Sequence, residues 1–169
     1  TNGAIYIYSP KNKKILAYIW SRNSQSNKWS EIDMIQERRS VWSILKPFVF
    51  LSALKLWYDG NEYILDDTKV YPTGQGNKVF VPMNYTERPF WPVRLSEALW
   101  NSLNSSTVRL TEELGIWHVY DTFRNFGLEL DHDAGYYGYY IVLGWPELTL
   151  ENIAKSYTNL IDITDPNRF

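Results

Sequence analysis

Apolar and polar positions along this chain change period several times, and each change marks an element. Ala4 to Tyr8 and Ile15 to Trp20 are β-rich runs around the polar turn Ser9-Pro10-Lys11-Asn12-Lys13-Lys14, which predicts a hairpin. Ser21 to Lys28 is polar and reads as a loop. Ser30 is placed as a helix N-cap, with Asp33 in the capping-box position and Ile32, Ile35, Trp42 and Leu45 as the apolar stripe. Pro47 would end that helix. Phe48 to Lys69 reads as two strands about the Asp59-Gly60-Asn61 turn, although Phe48 to Trp57 alone also fits a buried core helix. Lys78 to Val81 is a short strand.

Leu95, Leu99 and Leu103 recur at spacing four and predict a short helix over 95–104. Beyond it, β-branched and aromatic residues favour a three-run meander at 116–123, 127–131 and 136–143. A final helix follows Pro146, with Leu150, Ile153, Ala154, Tyr157 and Leu160 on one face. Strands and helices in mixed blocks predict one α+β domain over residues 1–169. Its sheet is mostly antiparallel, with hairpins and a C-terminal meander, packed against three to four short helices.

Composition adds an aromatic surplus: 8 Trp, 13 Tyr and 7 Phe in 169 residues, with no Cys. Trp and Tyr combine a large apolar body with a polar tip and are enriched where proteins meet partners. A net charge of −2 argues against sequence-independent nucleic-acid binding, which needs a basic footprint. Without Cys there is no disulfide framework, thiolate nucleophile or cysteine zinc site. No apolar run is long enough to span a bilayer, so no membrane partner is expected. The absence of Cys and of a signal peptide favours a cytoplasmic setting. The chain opens on Thr1, as a processed product or a domain of something longer would.

Five groups of residues bear on chemistry. Glu129, Asp131 and Asp133 fall on one face if 127–133 is a strand, and carboxylates so placed suit a hard cation such as Mg²⁺ or Ca²⁺. The plainer reading is an acidic, solvated turn with no cofactor. Asp67-x-Lys69 is similar to the second half of the PD-(D/E)xK nuclease motif, which implies a metal-holding carboxylate and a water-steadying Lys; the likeness covers three residues. Thr1, with its own α-amine as base, is loosely similar to an N-terminal nucleophile, but the glycine-rich surroundings of that family are absent. His118 reads as a hydrogen-bonded core histidine, two His without Cys argue against a zinc site, and either His118 or His132 would assist the carboxylates in the hydrolase reading. Asn84-Tyr85-Thr86 and Asn104-Ser105-Ser106 match the N-glycosylation pattern.

The aromatic residues point to recognition. Phe90 and Trp91 sit in a Pro-rich loop, and Tyr137, Tyr139 and Trp145 cluster about Gly138. These five are the expected binding residues. No motif names a reaction, and no catalytic residue is assigned. The expected function is a non-catalytic protein-recognition module (an inhibitor, immunity-type, adaptor or assembly protein) binding a protein partner. The alternatives are a carbohydrate-binding module using exposed Trp and Tyr, and a metal-dependent hydrolase or nuclease using the 129–133 cluster.

Overall fold

The computed structural model describes residues 3–21, 32–73 and 78–161. In chain order the strands are β1 (Ile5–Ser9), β2 (Lys14–Ile19), β3 (Arg39–Ser40), β4 (Tyr63–Ile64), β5 (Tyr71–Pro72), β6 (Val79–Phe80), β7 (Val93–Arg94) and β8 (Glu147–Leu148). The α-helices are α1 (Lys46–Leu54), α2 (Leu95–Trp100), α3 (Asn104–Leu114), α4 (Ile116–Asn125), α5 (Ala134–Tyr137) and α6 (Leu150–Ile161). Among the described residues, 3-10 helices cover Trp42–Leu45 and Tyr139–Leu143. Short antiparallel strand pairs with helices make this an α+β fold, as the sequence predicts. No described helix is long and apolar enough to cross a membrane. The residues divide into two compact units.

The first unit holds Thr1–Arg39, Arg124–Leu130 and Glu147–Phe169. β1 and β2 form the predicted hairpin, with an irregularity between Ile7 and Tyr8. The helix expected from Ser30 is absent over its described part. Ser30 itself lies outside the described residues. The Asp33 carboxylate instead accepts from Ile35 N at 2.9 Å and Gln36 N at 3.4 Å, which turns the chain. Residues 127–131 are not the expected meander strand either. Asn152 on α6 donates to Gly127 O at 2.8 Å and accepts from Glu129 N at 3.1 Å. Asn159 donates to Phe126 O at 2.8 Å. Side-chain amides on a helix thus satisfy the backbone groups that a neighbouring strand would have taken.

The second unit holds Ser40–Phe123 and Asp131–Pro146. The Trp42–Leu45 3-10 helix runs into α1, and Pro47 lies in the first turn of α1. Pro47 therefore starts a helix rather than ending one, since its missing N–H is an orphan there in any case. α1 buries Phe48, Val49, Phe50 and Ala53, and Phe48 meets Phe123 edge-on at 6.3 Å. Of the two strands expected over 48–69, only β4 is present, and it pairs with β7. The expected strands at 116–123 and 136–143 are helical. α4 takes the first, and α5 with the Tyr139–Leu143 turn takes the second. Buried hydroxyls conceal the helical pattern: Thr107 and Thr111 on α3 return their Oγ1 hydrogens to Leu103 O and Thr107 O.

Candidate active site

Lys46, the first residue of α1, is buried to 1% exposure. A Lys in such a place needs acceptors for three ammonium hydrogens. It has three: Ser102 O at 2.6 Å, Ser102 Oγ at 3.1 Å and Asn104 Oδ1 at 2.6 Å. All three are neutral oxygens, so no opposite charge among them offsets the loss of water. Burial lowers the Lys46 pKa from 10.5 to about 8. The amine is thereby brought within range of accepting a proton near neutral pH.

Its partners come from the turn between α2 and α3. Ser102 is left-handed at φ 52, and Asn104 opens α3. A buried hydrogen-bond chain holds that opening. Asn84 Oδ1 accepts from Asn104 N at 2.7 Å and Ser105 N at 3.2 Å, capping α3 from outside its own sequence. Asn104 spends its own amide on Met83 O at 2.7 Å. Asn84 in turn donates to Asp66, which is fully buried and also accepts from Ser106 N, Ser106 Oγ and Phe90 N at 2.7 to 3.1 Å. A carboxylate at a helix N-terminus is favoured by the aligned peptide dipoles.

Ser43 stands three residues before Lys46 on the 3-10 helix, where residues three apart eclipse. It is exposed and lines a cleft of about 540 Å³ together with Asn104, Trp42, Lys78, Tyr140 and Trp145. Gly144 fixes this end of the cleft. Its φ is +89, and a Cβ there would stand 2.0 Å from the Trp42 Cα. Ser40 Oγ donates to Gly144 O at 2.5 Å. Only glycine meets both requirements, positive φ and backbone contact.

An exposed serine, a buried lysine at i+3 and a Ser-x-Asn turn on that lysine form the Ser-x-x-Lys and Ser-x-Asn pairing of one acyl-transfer family. The sequence model described as "Penicillin binding protein transpeptidase domain" matches residues 3–140. The chain belongs to that family. Penicillin-binding protein 1A of Rickettsia bellii is 29% identical over 156 residues, which is 92% of this chain and 19% of that protein. Penicillin-binding protein 1B of Buchnera aphidicola is 33% identical over 125 residues, 73% of this chain and 16% of that protein. This chain thus spans about a fifth of the length of such relatives. Among solved structures, penicillin-binding protein 1A from Haemophilus influenzae superposes with a TM-score of 0.81 at 22% identity, covering 93% of this chain and 23% of that one. PonA1 from Mycobacterium tuberculosis, solved in complex with penicillin V, gives 0.75 at 20% identity, covering 93% of this chain and 42% of that one.

Membership of a transpeptidase family overturns the expected non-catalytic recognition module. Sequence reasoning placed none of Ser43, Lys46, Ser102 and Asn104 in a catalytic site, and Asn104 was read only as a glycosylation match. The available signal was a lysine inside an otherwise apolar run, Ile44 to Leu51, since a cation there must find buried partners.

In this transpeptidase domain the residues expected to bind are dispersed. Trp145 lines the cleft, and Tyr140 beside it stacks on Phe80 at 4.1 Å. Tyr137 is buried, and Tyr139 packs edge-on to Tyr71 at 5.1 Å. Phe90 and Trp91 are about half exposed in their loop. Glu129, Asp131 and Asp133 are exposed, and Asp133 caps α5 by accepting from Tyr136 N at 2.9 Å. Among the described residues, no three His, Cys, Asp or Glu side chains come together to hold a metal ion. In the nuclease-like match, Lys69 pairs with Glu112 at 2.5 Å, and Asp67 is half-buried. His118 Nε2 bonds Ser52 O at 3.0 Å, while His132 stacks on Tyr136. Both glycosylation-pattern asparagines have their amides engaged. Thr1 lies outside the described residues.

Proposed function

We propose that this domain transfers a peptidyl acyl group through an ester on Ser43, with Lys46 as general base. The observation that carries the reading is the buried Lys46, with its pKa near 8, three residues from an exposed serine in a cleft. Ser43 Oγ attacks the donor carbonyl while its proton passes to neutral Lys46. The carbon–nitrogen bond then breaks, the amine leaves with a proton returned from Lys46, and the acyl group stays on Ser43. A second amine attacks the ester, which forms the new amide and frees Ser43. In cell-wall cross-linking, donor and acceptor would both be peptides.

The Lys46 contacts support a defined route for that proton. A neutral amine has two N–H groups and one lone pair. Of its three partners, Ser102 O and Asn104 Oδ1 only accept, but the Ser102 hydroxyl can also donate. Ser102 is therefore the partner that tolerates both states of Lys46, and it stands ready to pass a proton between the lysine and the leaving amine.

A penicillin tests the chemistry, because its lactam amide opens by the same attack while the leaving amine stays tethered to the acyl group. The 169 residues contain no Lys-Thr-Gly, the third element of the family pattern. Incubation with benzylpenicillin should add the whole drug mass once, at the peptide containing Ser43. Ser43→Ala should remove the adduct with little change in melting temperature. An adduct that persists in Ser43→Ala would refute the assignment.

A further inference from the structure

Trp42 combines three properties that packing does not explain. It immediately precedes the nucleophile. Its backbone sits at φ +48, a region that bulky residues rarely occupy. The residue is 73% exposed, so burial does not compensate for that conformation. The backbone is held there from the other side by Gly144, whose missing Cβ makes room for the Trp42 Cα. The ring lines the same cleft as Ser43, with Tyr140 and Trp145 as the other aromatic members. Those two rings touch edge-on at 5.0 Å and form one aromatic surface. A large ring kept in solvent by a constrained backbone beside a nucleophile is a surface waiting for a ligand.

We infer that Trp42 is a specificity-determining residue, and that with Tyr140 and Trp145 it selects acyl donors carrying a flat apolar group. The inference rests on acylation at Ser43, as proposed above. It concerns the choice among donors, and Ser43 and Lys46 perform the chemistry on whichever donor is bound.

Two β-lactams separate the effects. Benzylpenicillin and 6-aminopenicillanic acid share the reacting bicyclic nucleus, and only the first carries an aromatic acyl side chain. Second-order acylation rates of the intact protein should favour benzylpenicillin. Trp42→Gly permits the positive φ and removes the ring. It should lower the ratio of the two rates about three- to tenfold, the range an aromatic contact supports. Trp42→Phe should keep most of the ratio. Trp100→Ala, which removes a still more exposed tryptophan outside the cleft lining, should leave the ratio as it is. Equal losses on both drugs in Trp42→Gly would make Trp42 a backbone-positioning residue and overturn the inference, as would an unchanged ratio. Wild-type protein acylated by neither drug would instead overturn the Ser43 reading, and this inference with it.

Discussion

Lys46 offers the sharpest test of the site. With its pKa at about 8, about one molecule in ten carries a neutral Lys46 at pH 7, against about one in three thousand at the ordinary value of 10.5. Burial thus raises the population of competent base by more than two orders of magnitude. If neutral Lys46 takes the Ser43 proton, the second-order acylation rate must climb about tenfold per pH unit below 7 and level off above 8. Lys46→Arg keeps a cation but cannot lose a proton in this range. It should cost about 10²- to 10⁴-fold in rate, the usual span for a general base. Quenched mixing with a fluorescent penicillin from pH 6 to 9.5 measures both. The same lysine sets a stability signature of known sign. Between pH 8 and 10.5 the folded protein releases this proton before the unfolded chain does, so stability rises with pH across that window. The full effect is at most about 3 kcal/mol. A wild-type rate that is flat from pH 6 to 9, or Lys46→Arg acylating within threefold of wild type, would refute the general-base assignment.

Two further substitutions probe what holds the site. Asn84→Ala strips the acceptor from Asn104 N and Ser105 N and a donor from buried Asp66. It should cost about 1–3 kcal/mol, a fall of about 3–10 °C in Tm, with penicillin acylation falling further than the melting shift explains. Gly144→Ala would drive a Cβ to 2.0 Å from the Trp42 backbone, whereas at Gly127, with nearly the same φ, the nearest atom is the Asn159 amide at 3.4 Å. Gly144→Ala should therefore lower acylation at least tenfold, and Gly127→Ala should cost only about 1 kcal/mol in a melting assay.

The sequence exposed those elements whose pattern was undiluted. The β1–β2 hairpin was legible from β-branched and aromatic runs about a polar turn although none of its residues is fully buried, the Leu95/Leu99 helix from its leucine spacing, and α6 from its apolar spacing although its fully buried side chains are Asn152 and Ser156. α1 is buried on most of its circumference, so its apolar run lacks a period and matches a strand as well as a helix. α3 buries Ser105, Ser106, Thr107 and Thr111, whose polarity reads as surface until their hydroxyls are seen bonded. α4 carries Ile116, Trp117, Val119 and Tyr120, residues that favour strands, and tertiary packing overrides that local preference. The site was hidden for a related reason. Ser43 and Lys46 are two common residue types three apart, and nothing local marks Lys46 as buried. Its acceptors lie 56 and 58 residues away along the chain.

The wide separation of those acceptors has a kinetic consequence. Ser43 and Lys46 ride on one continuous helical rod, so their spacing survives any motion of the rod as a body. The Ser102–Asn104 turn is held against Lys46 by tertiary docking, through Asn84 and Asp66 and through the packing of α2 and α3 on α1. Partial loosening of that turn would leave the nucleophile and its neighbour in register but return water to the amine. The pKa would then climb back toward that of free lysine, and reactivity would fade while α1 remained folded. If Ser43 is acylated as proposed, heat or mild denaturant should therefore abolish that acylation before it unfolds the helix that carries Ser43, with the docking of one turn acting as the fuse.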